Sequence, residues 1–178
     1  MPMDRYITDA EFAPAPAGLR VRLTTLLSAV VGGLVAVGLA VLMLRDPHVP
    51  GLVLALVAVV PAVLALYWLA ARIDCYRLVG SELRIEFRFR TVRFSLAGLT
   101  DATPDREAMR CSVKIFGNEG LGAISGRFRS KRLGAFRAYL SDSDRAVVLR
   151  WPDRCLVISP EQHSYFVEAV RKRAGLSR

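Results

Sequence analysis

Residues 75–96 read CYRLVGSELRIEFRFRTVRFSL, and their pattern decides the fold. Leu83, Ile85, Phe87 and Phe89 alternate with Arg84, Glu86, Arg88 and Arg90, which is the period of a strand with one dry and one wet face. Ahead of it, residues 75–79 run into Gly80-Ser81, a pair suited to a tight hairpin turn. Val92, Phe94 and Leu96 predict a third strand. The chain therefore enters an antiparallel β-structure at Cys75.

Towards the C-terminus, residues 98–105 read as an irregular fourth strand. Residues 106–134 have no clear period and carry five glycines, at 117, 120, 122, 126 and 134, which predicts a long ordered loop or a short helix. Three further strand-like runs follow at 135–140, 146–151 and 155–158, separated by Ser141-Asp142-Ser143-Asp144 and by Pro152-Asp153. The chain closes with a helix. Ser159 is placed to cap it, Pro160 suits its first position, and Gln162 completes an S-x-x-Q capping box. Phe166, Val167 and Val170 form the apolar edge that lies on a sheet, and Lys172, Arg173 and Gly175 suit a helix end. About seven antiparallel strands in two sheets with one C-terminal helix is the expected architecture.

Towards the N-terminus, two uncharged apolar runs stand back to back at 24–44 and 50–71, separated by Arg45, Asp46, Pro47, His48 and Val49. At ~1.5 Å per residue each reaches about 32 Å as a helix, enough for a hydrocarbon layer of roughly 30 Å. These runs predict a two-helix transmembrane hairpin over 23–71. Neither carries Asp, Glu, Lys, Arg or His, so ion pathways and proton relays have no carrier there. Ser28, Gly32, Ala36 and Ala40 recur every four residues in the first run. Gly51, Ala55, Ala58, Ala62 and Ala65 form a similar stripe in the second. Small side chains in register let membrane helices approach closely. Pro61 predicts a local bend, and Tyr67 and Trp68 mark an exit at headgroup level. Arg20, Arg22, Arg72 and Arg77 flank the outer ends of the hairpin against Arg45 alone in the loop, which places both termini on the cytoplasmic side of a multi-pass cell membrane protein. The first run is too long for the h-region of a signal peptide and follows acidic residues. Residues 1–22 read as a mobile tail, in which Glu11-Phe12-Ala13-Pro14 is linker or, alternatively, a docking peptide.

The net charge of +9 lies wholly beyond Ala71, because Arg5, Arg20, Arg22 and Arg45 are balanced by Asp4, Asp9, Glu11 and Asp46. A basic domain beside a bilayer has anionic headgroups as its nearest partner. Of the 25 basic residues 22 are Arg, so coding bias is an alternative source of the excess. Cys75, Cys111 and Cys155 show neither a metal-ligand spacing nor a pairing pattern, which predicts no metal site and suits a reducing compartment.

The order of elements resembles a pleckstrin-homology-like (PH-like) barrel, and the wording is similar to bacterial PH domains found beside membrane spans. The matching residues are Tyr76-Arg77-Leu78 with Gly80, then Gly126-Arg127-Phe128, Leu133-Gly134 and Arg137-Ala138-Tyr139. Val157-Ile158-Ser159-Pro160 and Phe166-Val167 complete the resemblance, which covers 75–173 and leaves 174–178 as a short tail. It implies a binding module near a membrane, with no catalytic residues and no cofactor to carry over. Members that grip phosphoinositides use basic residues around the first hairpin loop, and here that loop is only Gly80-Ser81.

Among candidate sites, the densest charge is Arg127, Arg129, Lys131 and Arg132, threaded by Phe128. It reads as an anionic-surface contact or as a solvated loop. Arg84, Arg88, Arg90 and Arg93 follow from the wet face of a strand pair, and no nucleic-acid motif accompanies them. Gly117-Asn118-Glu119-Gly120-Leu121-Gly122 lacks the order of a nucleotide loop and reads as turn chemistry. His48 and His163 have no nucleophile partner, and Ser125 lacks the G-x-S-x-G elbow, so an enzyme is not expected and stands only as a remote alternative. The reading is a non-catalytic integral membrane protein that presents a PH-like module to membrane lipids, to a protein partner, or to both. The alternative is an accessory subunit docked on a larger membrane complex through its hairpin.

Overall fold

The computed structural model describes residues 9–45 and 51–176. Strand β1 spans Ala10–Phe12, and helices α1 (Leu19–Arg45) and α2 (Gly51–Ala71) follow it. Then come β2 (Ile73–Val79), β3 (Glu82–Phe87), β4 (Arg90–Ser95), β5 (Asp101–Pro104), β6 (Val113–Glu119), β7 (Ile124–Ser130) and β8 (Gly134–Leu140). A 3-10 turn at Ser143–Arg145 leads to β9 (Val147–Arg150), β10 (Cys155–Ile158) and α3 (His163–Ala174). The expected tail at 1–8, the interhelical loop 46–50 with His48, and the end at 177–178 lie outside the described residues.

The β-domain has two sheets, ordered β1-β2-β3-β4 and β5-β9-β10-β8-β7-β6. The Gly80-Ser81 turn forms as expected, with Val79 opposite Glu82 and Gly80 at a φ of +55°. Leu78, Leu83, Ile85 and Phe87 point inward with Tyr76 and meet Leu149, Leu156 and Ile158 of the second sheet and Phe166 and Val170 of α3. The second sheet is buried on its other face as well, where Ile124, Phe128, Phe136, Ala138 and Val157 pack with Val21 of α1. That is why β9 and β10 read as unbroken apolar runs.

Four expected elements change, and so does the place of one side chain, Phe89. The strands number ten among the described residues, not seven, and they are not all antiparallel: β10 pairs with β8 in parallel. The chain leaves β8, skips one place to form β9, and returns through Pro152-Asp153 to drop β10 between them. Residues 113–130 hold a β-hairpin where a loop or short helix was expected. Its period is hidden because β6 is an edge strand with little burial, bears a bulge between Lys114 and Phe116, and pairs Gly117 with Gly126. A Cβ on Gly117 would run into the Ser125 carbonyl oxygen, so the two strands require glycine there. Phe89, expected to face the core, sits on the β3–β4 turn and is 66% exposed.

The capping box is the third change. Gln162, not Ser159, occupies the cap position of α3 and makes no capping side-chain bond. The Ser159 hydroxyl accepts instead from the Ser141 and Asp142 N–H groups at 2.8 and 3.2 Å, closing the end of β8. The other end of α3 behaves as expected. Gly175 adopts a φ of +71°, and the Leu176 N–H donates to the Arg171 carbonyl at 3.0 Å.

The fourth change concerns the tail. From residue 10 onward it is docked on its own domain: β1 adds to β2 with Phe12 opposite Tyr76, and Glu11 pairs with Arg77 at 2.9 Å. Phe12 is 4% exposed and meets the Phe166 ring edge-on at 5.0 Å. Pro14 bridges to Pro160, the Ala15 N–H donates to the Ser159 carbonyl at 2.8 Å, and the Gly18 N–H donates to the Ser141 carbonyl at 2.9 Å. A three-residue strand is too short to show a period, and Pro14 and Pro16 mark where the chain crosses between sheets rather than a linker.

Phe12→Ala is expected to cost about 3 kcal/mol by emptying a buried aromatic site. Thermal unfolding of the detergent-solubilised chain should fall by about 10 °C. An unchanged midpoint would mean that the segment is not held to the domain.

Candidate functional site

Two arrangements meet at the end of the β-domain that carries the helices. The first is a clamp. Loop 120–123, between β6 and β7, lies against the first turns of α1 and the last turn of α2. Arg20 pairs with Glu119 at 3.3 Å, and the Thr25 hydroxyl donates to the Gly120 carbonyl at 3.3 Å. Gly120 and Gly122 have φ values of +117° and +78°; a Cβ would come within 2.7 Å of the Thr24 hydroxyl oxygen at the first and within 2.8 Å of the Trp68 carbonyl oxygen at the second. Asn118 braces the loop from within by donating to the Leu121 and Ala123 carbonyls at 2.5 and 2.7 Å. The glycine-rich string is thus a structural wedge.

Above the clamp, Ser28, Gly32 and Ala36 face Pro61, Leu64, Ala65 and Trp68 across a groove of about 430 Å³. Gly32 makes the closest approach, since a Cβ there would sit 3.5 Å from Leu64 Cδ1. Ala40, Ala55 and Ala62 are exposed, and the side chain of Ala58 lies outside the described residues. Among those residues one helix, over Leu19–Leu42, is long and apolar enough to cross a membrane, and none of its most apolar stretch is buried by protein. In α2 the apolar stretch with described side chains is Val59–Ala71.

The second arrangement is a cleft of about 870 Å³ between the two sheets, bordered by Tyr67, Ala70 and Ala71 of α2. Arg90 from the start of β4, Lys114 from β6, Arg127 from β7 and Arg137 from β8 line it, and among the described residues no carboxylate does. Arg127 stands opposite Arg137 in the β7–β8 register and opposite Phe116 in the β6–β7 register. Arg90 lies over the Phe87 ring at 4.4 Å. Phe89 and Phe116 border the same cleft, Phe116 being 79% exposed.

Of the four basic residues singled out in the sequence, Arg127 lines this cleft and Arg129 follows it on the same face of β7. Lys131 and Arg132 occupy the β7–β8 turn, where Arg132 bonds Asp105. Nothing in the sequence groups the other cations of the cleft with Arg127, for a simple reason. Arg90, Lys114 and Arg137 are scattered over 48 residues of sequence and are gathered only by the sheet order. The lone signal was that Arg90 and Arg137 each stand beside an aromatic, Phe89 and Phe136.

The three cysteines are unpaired, with Cys75 and Cys155 buried and Cys111 exposed. Burial first, and then a hydrogen bond to Glu86 Oε2 at 3.3 Å together with the carboxylate's charge, push the Cys75 thiol up to about 12. Burial also raises Cys155. Tyr76, wholly buried, donates its hydroxyl to the Tyr139 carbonyl at 2.9 Å, and burial pushes it up to about 12.

A family model described as a bacterial PH domain matches residues 75–174, more than half of the chain. Neither the curated proteins nor the solved structures contain a match.

At pH 8 the folded protein should react rapidly with maleimide at Cys111 alone, and at all three thiols once denatured. The raised groups also fix the sign of the alkaline response. Cys75 and Tyr76 keep protons that the unfolded chain releases from about pH 9 upward, so their contribution is complete below that pH and is lost as pH climbs towards 12. Melting temperatures between pH 7 and 11 check this, and stability rising above pH 9 would contradict it.

Proposed function

Because this chain belongs to the bacterial PH domain family, we propose that it is a non-catalytic integral membrane protein that holds a PH-like binding module against the cytoplasmic surface of the cell membrane. One observation carries this reading. A helix apolar enough to cross a bilayer is joined, without a flexible linker, to a domain of a family whose members bind lipids or proteins.

Support comes from both ends of the helix pair. The docked segment 10–18 leads directly into α1, and only Arg72 separates α2 from β2. The exposed Leu and Val side chains of α1 need an apolar solvent, which lipid supplies. The full apolar run 50–71 makes α2 the second span, and the excess of Arg at the outer ends puts both termini inside. Arg72 lies over the Trp68 ring at 4.9 Å, a pairing at home in the headgroup zone. At that surface the basic segment Arg127, Arg129, Lys131 and Arg132 contributes to orientation, because the helices already supply attachment.

The groove beside Ser28, Gly32 and Ala36 favours a second reading, an accessory subunit whose helices dock on a larger membrane complex. In that case the barrel is the complex's cytoplasmic handle.

Membranes washed in alkaline carbonate should retain the chain, and tags at both termini should be digested in inverted vesicles but not in intact spheroplasts. Release by carbonate would overturn membrane integration. Termini on opposite sides would leave a single span. Crosslinks from Ser28→Cys or Ala36→Cys to another protein select the subunit reading, whereas crosslinks confined to α2 select the simple anchor.

A further inference from the structure

We infer that the cleft between the two sheets binds the phosphate headgroup of an anionic phospholipid taken from the leaflet at which α2 ends. The inference rests on the membrane reading above and adds the site, its residues and the ligand class.

Charge argues first. Arg90, Lys114, Arg127 and Arg137 converge with no carboxylate among the lining residues, and none of the four has an ion pair among the described residues. Elsewhere in the domain several arginines are paired, among them Arg77 with Glu11 and Glu86, Arg84 with Glu82, Arg132 with Asp105 and Arg171 with Asp101. Like charges directly opposite on neighbouring strands destabilise a sheet, and Arg127 and Arg137 are such a pair. A bound anion relieves that repulsion. Phosphate suits it best, since guanidinium forks match its oxygens two at a time.

Position argues for a lipid over a soluble phosphate. Tyr67, Ala70 and Ala71, from the last turns of α2, form part of the cleft wall, so the cations lie beside the level where that helix leaves the bilayer. The rim is apolar: Phe89, Ile115 and Phe116 are 66%, 60% and 79% exposed. In water such a cluster is costly, whereas against acyl chains it adds contact. A volume of about 870 Å³ accommodates a headgroup together with the start of its chains. Four exposed cations and three exposed apolar side chains on one cleft match an amphiphile that offers a phosphate and the start of its chains together.

The test uses the full chain in neutral detergent, with fluorescently labelled phosphatidylglycerol as probe and phosphatidylcholine as the uncharged comparison. Phosphatidylglycerol should bind, and Arg127→Gln with Arg137→Gln should weaken it by about 30-fold, from roughly 1 kcal/mol per cation. The double variant should melt no lower than the parent, because it removes a repulsion, and this separates loss of a ligand from loss of the fold. Arg110→Gln with Lys172→Gln removes the same charge away from the cleft and should bind as the parent does. Equal weakening by both pairs would reduce the effect to net charge and overturn the site. Competition by millimolar inorganic phosphate as effective as by unlabelled phosphatidylglycerol would overturn the lipid assignment. If the parent chain is carbonate-extractable, the membrane reading itself fails; if it stays in membranes but the double variant binds normally, only this inference fails.

Discussion

The wedge of Gly120 and Gly122 against the feet of α1 and α2 is the contact on which the rest of the molecule depends. Two helices whose outer faces are hydrophobic gain nothing from a polar domain unless something fixes their angle to it. Here the fixing is steric and local: backbone at φ values only glycine readily accepts, placed where a Cβ would run into Thr24 or the Trp68 carbonyl. The Thr25 bond to Gly120 and the Arg20–Glu119 pair add direction to that fit. Val21 extends it inward, because it belongs to the same apolar cluster as Ile124 and Phe128. Through Val21 the first turn of α1 therefore continues the core of the domain.

A second tie closes the arrangement. The chain before α1 runs along the domain, through β1 and the Pro14–Pro160 bridge to the Ser141 carbonyl, so α1 is anchored on both sides of its first turn. Ser141 and Ser159 connect this seam to the interior. The Ser141 hydroxyl donates to the Ala15 carbonyl at 2.6 Å, and the Ser159 hydroxyl caps the two N–H groups at the end of β8. Tyr76 joins the same network through Tyr139 and the Ser159 N–H. Buried polar groups that satisfy one another in this way specify a single docking register, where apolar contacts alone would allow sliding.

The parts legible in the sequence were those where one physical signal dominates. Alternation at Leu83, Ile85 and Phe87, the turn at Gly80, the apolar edge of α3 and the stop at Gly175 each follow from local chemistry, and each stands as read. What escaped is non-local. The β6–β7 hairpin hides behind glycines and a bulge, β1 earns its place only through β2 and Phe166, and Ser159 caps a strand end seventeen residues away in preference to its own helix. The candidate site follows the same rule. Arg127 stood in an evident basic run, but the cations that surround it come from β4, β6 and β8, and no spacing announces them.

The clamp and the cationic cleft are two uses of one hairpin. Strand β6 carries Lys114 and Phe116 into the cleft and then continues, past Gly117, into the loop that wedges the helices. Strand β7 leaves that loop and places Arg127 opposite Arg137. Glycine at both 117 and 126 brings the two strands close at the midpoint, where a side chain on either would meet the other strand's backbone. The loop that lies against the feet of α1 and α2 and the wall that holds Lys114 and Phe116 are therefore parts of one hairpin. The like charges at Arg127 and Arg137 thus face each other where this hairpin meets β8, on the strand that also leads out of the loop against the helices.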